Sequence, residues 1–244
     1  MPVAPPAAYR LYRSLWSGLD WLYPPTCAGC GKQRARWCAN CNQAAKLMRG
    51  NLCPTCGINV NSPGLCRQCQ TSPPHFSQLR AWAAYEGPLR QALHHLKYRK
   101  DVALGEALSR PLIELLPGLG WPVDLLLPVP LGVARLAQRG YNQSALLARP
   151  VGLALRIPYH PAGLQRRRET RSQVELTAEG RRQNVQGAFQ ADPAVVGGRH
   201  ILVVDDIATS CATLDACAQA LLEAGAAQVF CLTLARAGLS AHRA

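Results

Sequence analysis

The sequence predicts an α/β protein with a largely parallel sheet, preceded by a small cysteine-rich module. Two observations carry this reading. From residue 76 onward, short apolar runs alternate with stretches of helical periodicity, the pattern of strands and crossover helices. Upstream, eight of the eleven cysteines crowd between Cys27 and Cys69. "QTSPPH" at 70–75, containing Pro and Ser, reads as the joint between the two. At 244 residues and 48% hydrophobic content, the chain suffices for one ordinary domain plus a small module. The expected division is an amphipathic segment over 1–23, the module over 24–72 and the α/β domain over 76–244.

Each element has a local reason. The amphipathic 9–23 segment is expected to pack on its own protein. "GPLRQALHHLKYRKD" repeats Leu89, Leu93 and Leu96 at helical spacing. "VDLLLPVPLG" (123–132) is an apolar run stopped by prolines, a buried strand entering a loop. "YNQSALLARPVGLAL" (141–155) reads as a helix that Pro150 should interrupt or kink. "HILVVDD" (200–206) and "QVFCLTLAR" (228–236) are buried parallel strands, and between them "ATLDACAQALLEAG" is a helix ended by Gly225.

The cysteines come as four Cys-x-x-Cys pairs, "CAGC", "CANC", "CPTC" and "CRQC". Each pair brings two thiolates onto one side of a tight turn, and two turns close a tetrahedral Cys₄ zinc site. Seven residues separate the first two pairs and nine the last two. Glycine follows Cys30 and Cys56, as suits such turns. One zinc is therefore expected on Cys27, Cys30, Cys38 and Cys41, and a second on Cys53, Cys56, Cys66 and Cys69, with an interleaved pairing left open. A segment this poor in apolar residues needs the roughly 10–16 kcal/mol that structural zinc supplies.

"ILVVDDIATSCATL" (201–214) is the candidate site. Parallel sheets bind ligands at the carboxyl ends of their strands, where Asp205 and Asp206 are expected. Two adjacent carboxylates accept from the two hydroxyls of a vicinal diol such as a ribose. The small, hydroxylated residues that follow suit a phosphate held by backbone amides at a helix start. The chain carries neither G-x-G-x-x-G nor G-x-x-x-x-G-K-[ST], which removes the usual dinucleotide and nucleoside-triphosphate cradles.

These residues resemble the phosphoribosyl pyrophosphate (PRPP) signature of type I phosphoribosyltransferases. Together with "LLPVPLGVARLAQRGYNQSALLA", "RRRETRSQVELTAEGRRQNVQGAF" and the cysteine pairs, the chain from about residue 20 to 236 resembles the ComF family, also called the GntX or competence-protein-F family. The resemblance implies a type I phosphoribosyltransferase-like parallel sheet with helices on both faces, behind a double zinc ribbon. It implies that Asp205 and Asp206 hold the ribose hydroxyls, and that Ala208, Thr209, Ser210, Cys211, Ala212 and Thr213 hold the 5′-phosphate. The Pro128–Leu131 loop would lie near the pyrophosphate, followed by the polar stripe Arg135, Arg139, Asn142 and Gln143. Arg166, Arg168, Thr170, Gln173, Arg182 and Asn184 correspond to a mobile lid, basic enough to cover polyphosphate or a DNA backbone.

Cys211 departs from the family's pattern, standing where "TTGAT" has glycine. If positive φ is needed there, a side chain costs about 1–2 kcal/mol. A helix N-terminus also favours a lowered thiol pKa, so a cysteine catalyst is the competing reading. Phosphoribosyl transfer needs no protein nucleophile, and the expectation is a tolerated substitution. Cys217 and Cys231 fall on core-facing patterns, and His94 and His95 are read as structural.

Two functions compete. One is an enzyme that transfers the ribosyl group of PRPP, with Mg²⁺, to a base-like acceptor that no residue identifies, with loss of pyrophosphate. The other is a non-catalytic binding protein for single-stranded DNA, its PRPP pocket a sensor or a relic. For either, the family resemblance implies a link to natural transformation and DNA uptake and use, alongside competence or DNA-processing proteins. The net charge of +13 favours polyanionic partners. The GntX name alone suggests a gluconate-related role. No apolar run reaches the roughly 20 residues of a membrane span, no secretory signal is visible, and a cytoplasmic location is expected.

Overall fold

The computed structural model describes residues 5–168, 185 and 187–238. A helix, α1 (Ala7–Leu22), opens the chain. Two short helices, α2 (Ala39–Gln43) and α3 (Arg67–Thr71), follow in the cysteine-rich module. Then come β1 (Gln78–Ala84), α4 (Gly87–Tyr98), α5 (Leu104–Leu115), β2 (Leu125–Pro128), α6 (Val133–Arg139) and α7 (Gln143–Leu155). A two-stranded ladder of β3 (Leu164–Arg166) and β4 (Phe189–Ala191) leads into α8 (Pro193–Val196). The chain returns through β5 (His200–Ala208), α9 (Ala212–Glu223) and β6 (Gln228–Arg236).

β1, β6, β5 and β2 form one sheet in that order, and every pairing is parallel. β5 and β6 occupy its centre and are apolar on both faces, as a doubly covered sheet requires. One face carries α4, α5 and α7, packing Leu93, Leu108 and Leu147 against Leu202, Val204 and Leu232. The other carries α9 together with the second half of the cysteine module: Leu214, Cys217 and Leu221 share a core with Cys53, Ile58 and Phe76. Cys217 and Cys231 are wholly buried here, as their pattern predicts.

α1 docks on the body of its own protein. Tyr9 is buried and donates to Glu106 of α5, and Arg13 pairs with the same carboxylate at 3.5 Å. No helix among the described residues is long and apolar enough to cross a membrane.

Three local expectations change. α7 runs unbroken through Pro150, and α5 likewise contains Pro111. The two helices pack so closely that a side chain on Gly105 would strike Leu146. α4 stops at Tyr98, ahead of Lys100 at φ 56° and short of Asp101, the end of the helical stretch read from sequence. β5 continues to Ala208 because Ile207 and Ala208 still pair with Ala235 and Arg236, so Asp205 and Asp206 lie inside the strand and not at its end. β1 and α5 carry no sequence signal that separates them from their surroundings. β1 sets polar Gln78 and Arg80 against apolar Leu79 and Ala81, and α5 carries Pro111 inside its span.

Candidate functional site

The cysteines resolve into two sets, Cys27, Cys30, Cys38 and Cys41, and Cys53, Cys56, Cys66 and Cys69, with the sulfur atoms of each set within 4.8 Å of one another. The pairing is sequential, which settles the interleaved alternative. Sulfur–sulfur separations of 3.6 Å (Cys27–Cys41), 3.7 Å (Cys30–Cys38) and 3.6 Å (Cys56–Cys66) far exceed a disulfide's ~2.0 Å. They match the ~3.8 Å edge of a tetrahedron built on ~2.3 Å Zn–S bonds. The donor set therefore fits structural zinc at both centres.

The two centres repeat one local design. Cys38 and Cys66 cap α2 and α3, accepting from the amides of Cys41 and Cys69 at 3.4 and 3.5 Å. Cys27 and Cys53 accept from the amides of Cys38 and Cys66, each at 3.4 Å. Burial opposes thiolate formation at Cys27 and Cys53, but these and neighbouring amides outweigh it and bring both down to about 6. Gly31 and Gly57 take the positive φ of each turn, 74° and 64°. At Gly57 a Cβ would also lie 2.6 Å from the Leu79 carbonyl, so the second turn presses directly on β1.

The acidic pair is buried, Asp205 at 8% and Asp206 at 3% exposure. Both meet the first turn of α7. Ser144 Oγ donates to Asp205 Oδ1 at 2.6 Å, and Gln143 Nε2 donates to Asp206 Oδ1 at 3.3 Å. The ammonium of Lys97, from the last turn of α4, lies 2.6 Å from Asp206 Oδ2. Arg139 donates to Gln143 and stacks 5.5 Å from the Tyr98 ring centroid. Asn142 caps α7, accepting from the Ser144 amide and donating to the Val129 carbonyl, which ties the Pro128–Leu131 loop to the same network. Burial, then the adjacent Asp206 charge, pushes the Asp205 carboxyl up to about 7.

Beyond β5 the chain turns into α9 through Cys211, at φ 64° and ψ 0°. The position does need the left-handed conformation that favours glycine, and cysteine occupies it with strain. Its thiol is raised by burial, against the opposing pull of Arg236, so the helix start does not activate it. Burial thus opposes a thiolate at Cys211 and counts against its reading as a catalyst. Thr209, Ser210, Cys211 and Ala212 line a cleft together with Cys66, Gln68, Ser72 and Pro74 of the second cysteine centre and the joint. Asp205 and Asp206 do not line it.

Of the remaining candidates, Arg135 sits half-buried on α6. Arg166 lies on the β3–β4 ladder with its guanidinium 5.6 Å from the Phe189 ring centroid. Arg168 follows that strand, while Thr170, Gln173, Arg182 and Asn184 lie outside the described residues. Sequence reasoning missed Lys97, Ser144 and Arg236. Nothing in "LKYRKD" separates Lys97 from Arg99 or Lys100; the register of α4 alone aims it at the acids.

Fold and site define a class: a double zinc ribbon carried on an α/β domain with a four-stranded parallel sheet. Residues 18–70 match the double zinc ribbon domain family. The chain is 38% identical over 204 residues to the DNA utilization protein YhgH of Escherichia coli O157:H7, covering 80% of this chain and 88% of that protein. It is 29% identical to the competence protein ComFC of Bacillus subtilis, covering 82% and 83%, and 27% identical to competence protein F of Haemophilus influenzae, covering 82% and 96%. The chain belongs to this YhgH/ComF family of DNA-utilization and competence proteins. Among solved structures it is similar to glutamine PRPP amidotransferase of B. subtilis, at 22% identity and TM-score 0.34, covering 57% of this chain and 26% of the other. That likeness is partial, and the family assignment rests on the sequence relatives.

Proposed function

We propose that the protein binds PRPP or a phosphoribosylated nucleotide at the carboxyl edge of β5, in the service of DNA utilization or natural transformation. The observation that carries the reading is a single one: a buried acidic pair near the end of β5, whose strand leads within five residues to a left-handed turn into α9. Asp205 and Asp206 would take the ribose hydroxyls and any accompanying Mg²⁺, and residues 208–213 the 5′-phosphate. Arg135 and Arg139 would face the pyrophosphate, with Arg166, Arg168, Gln173 and Arg182 covering it or contacting nucleic acid. Rate acceleration at such a site comes from positioning and charge stabilisation.

PRPP is expected to stabilise the fold by roughly 2.7 kcal/mol at 100 times Kd, several degrees of Tm. Asp205→Asn with Asp206→Asn abolishes the shift, and Cys211→Gly preserves or enlarges it. The shift also depends on pH. The Asp205 carboxyl is raised in the folded state to about 7. Its contribution to apo stability is therefore complete below about 4 and lost as pH climbs through about 7. Ionisation over the same window supplies the second negative acceptor, so the PRPP shift grows as pH rises through 7 in the parent and stays flat in Asp205→Asn. No shift in parent or Cys211→Gly protein, at any pH, rejects the reading.

A second reading, binding of single-stranded DNA, is favoured by the net charge of +13. Affinity should then fall steeply with salt, with a log–log slope of about −0.7 per phosphate contact. Reversing Arg166, Arg167 and Arg168 to Glu should weaken all sequences alike, as measured by fluorescence anisotropy with labelled oligonucleotides. Unchanged binding in that triple variant removes this segment from the DNA footprint.

A further inference from the structure

Arg236 closes β6 only 4% exposed, yet it makes no ion pair with a carboxylate among the described residues. Its hydrogen bonds run instead to backbone carbonyls on two separate parts of the chain. Nε donates to Cys56 O at 3.3 Å, across 180 residues of sequence. Nη1 donates to Ala208 O at 3.0 Å, to Thr209 O and to Ala237 O at 3.2 Å. One planar guanidinium thus ties a ligand turn of the second cysteine centre to the first residues of the 208–213 loop. A fork geometry of this kind is specific to arginine.

Two further contacts run the same way. Asp215, in the first turn of α9, accepts from the His75 amide at 2.6 Å and holds His75 Nδ1 at 3.0 Å, which fixes the joint behind the second centre. Cys211 packs on the core shared by Cys53, Cys56 and Cys69. The first centre is anchored elsewhere. Arg36 pairs with Asp101 and Asp20, each at 2.6 Å, and a side chain on Gly29 would meet Pro88 at the start of α4.

We infer that Arg236 is a positioning residue, and that through it the second Cys₄ centre, but not the first, sets the conformation of the 208–213 loop. The ribbon is then one wall of the ligand site, and metal occupancy at Cys53, Cys56, Cys66 and Cys69 governs how tightly the loop closes on an anion. A buried arginine bound only to carbonyls holds them in place by charge-assisted hydrogen bonds, the stronger kind. Loss of metal releases the Cys56 turn, one anchor of the fork. The ligand part of this inference rests on the PRPP reading; the coupling of ribbon to loop does not.

The test uses matched variants of the full chain. Cys38→Ser and Cys66→Ser remove equivalent capping ligands from the first and second centres, and Arg236→Lys keeps the charge without the fork. Hydrogen exchange by mass spectrometry reads the loop amides directly, alongside zinc content and PRPP titration. Cys66→Ser and Arg236→Lys are expected to speed exchange over 208–213 about tenfold, the effect of losing one hydrogen bond to a charged group. PRPP affinity should fall about as far in both. Cys38→Ser should lose one zinc and leave exchange over 208–213 at the parent rate. Equal loosening in Cys38→Ser, or parent-like exchange in Cys66→Ser and Arg236→Lys, overturns the inference. If Cys66→Ser is not recovered folded, Arg236→Lys decides alone. Loosening without any PRPP binding in the parent keeps the coupling and rejects the PRPP reading.

Discussion

Removal of zinc with a high-affinity chelator is expected to unfold both ribbons and to destabilise the α/β domain with them. Structural zinc in Cys₄ sites supplies roughly 10–16 kcal/mol of folding free energy, more than the net stability of most domains. The eight sulfur atoms lie at tetrahedral spacing in two sets. Cys53, Cys56 and Cys69 also share the core of Phe76, Leu214 and Cys217, so losing the second centre opens one face of the sheet to water. Elemental analysis of protein purified without chelator should give close to two zinc ions per chain. One ion would mean that a single ribbon holds metal, and near zero would end the zinc assignment. Chelation should lower the thermal midpoint of the near-UV signal as well as that of the ribbons, because the core is shared.

Lys97→Ala is expected to be the most damaging single change in the α/β domain. It removes the cation 2.6 Å from Asp206 and leaves that buried carboxylate without a counter-charge beside Asp205. Breaking a buried pair from one side costs about 3–5 kcal/mol. At about 2–4 °C per kcal/mol for a chain of this size, Tm should fall by roughly 10 °C. Asp206→Asn in the Lys97→Ala background should recover most of the loss, because the amide carries no charge to strand. Thermal melts of the four-member cycle give the coupling energy. A coupling below about 0.5 kcal/mol would show that the acids are solvated and that Lys97 is an incidental neighbour.

Much of this architecture is legible in the chain. The four Cys-x-x-Cys pairs specify two tetrahedral centres because ligand chemistry depends on residue type and short spacing, both local. The strands at 200–206 and 228–236 announce themselves because a doubly covered parallel strand must be apolar on both faces. Asp205, Asp206 and the 208–213 loop stand out because charged and small residues interrupt such a run abruptly. The strain at Cys211 is also anticipated, since a left-handed helix entry is a property of one residue's backbone.

What the sequence leaves open depends on residues far apart. Lys97 is one basic residue among several until α4 and β5 are packed together, 109 positions apart in the chain. Ser144 looks like an ordinary helix-start residue until α7 sets its first turn against the acids. α7 runs through Pro150 and lies against α5 at Gly105, a contact no local pattern encodes. Arg236 reads as the polar end of a strand, and becomes a tie between metal centre and loop only when residues 56 and 208 converge on it. Metal ligation and strand burial are short-range in sequence. Charge neutralisation in a buried site is short-range in space, and the fold alone brings those partners within reach.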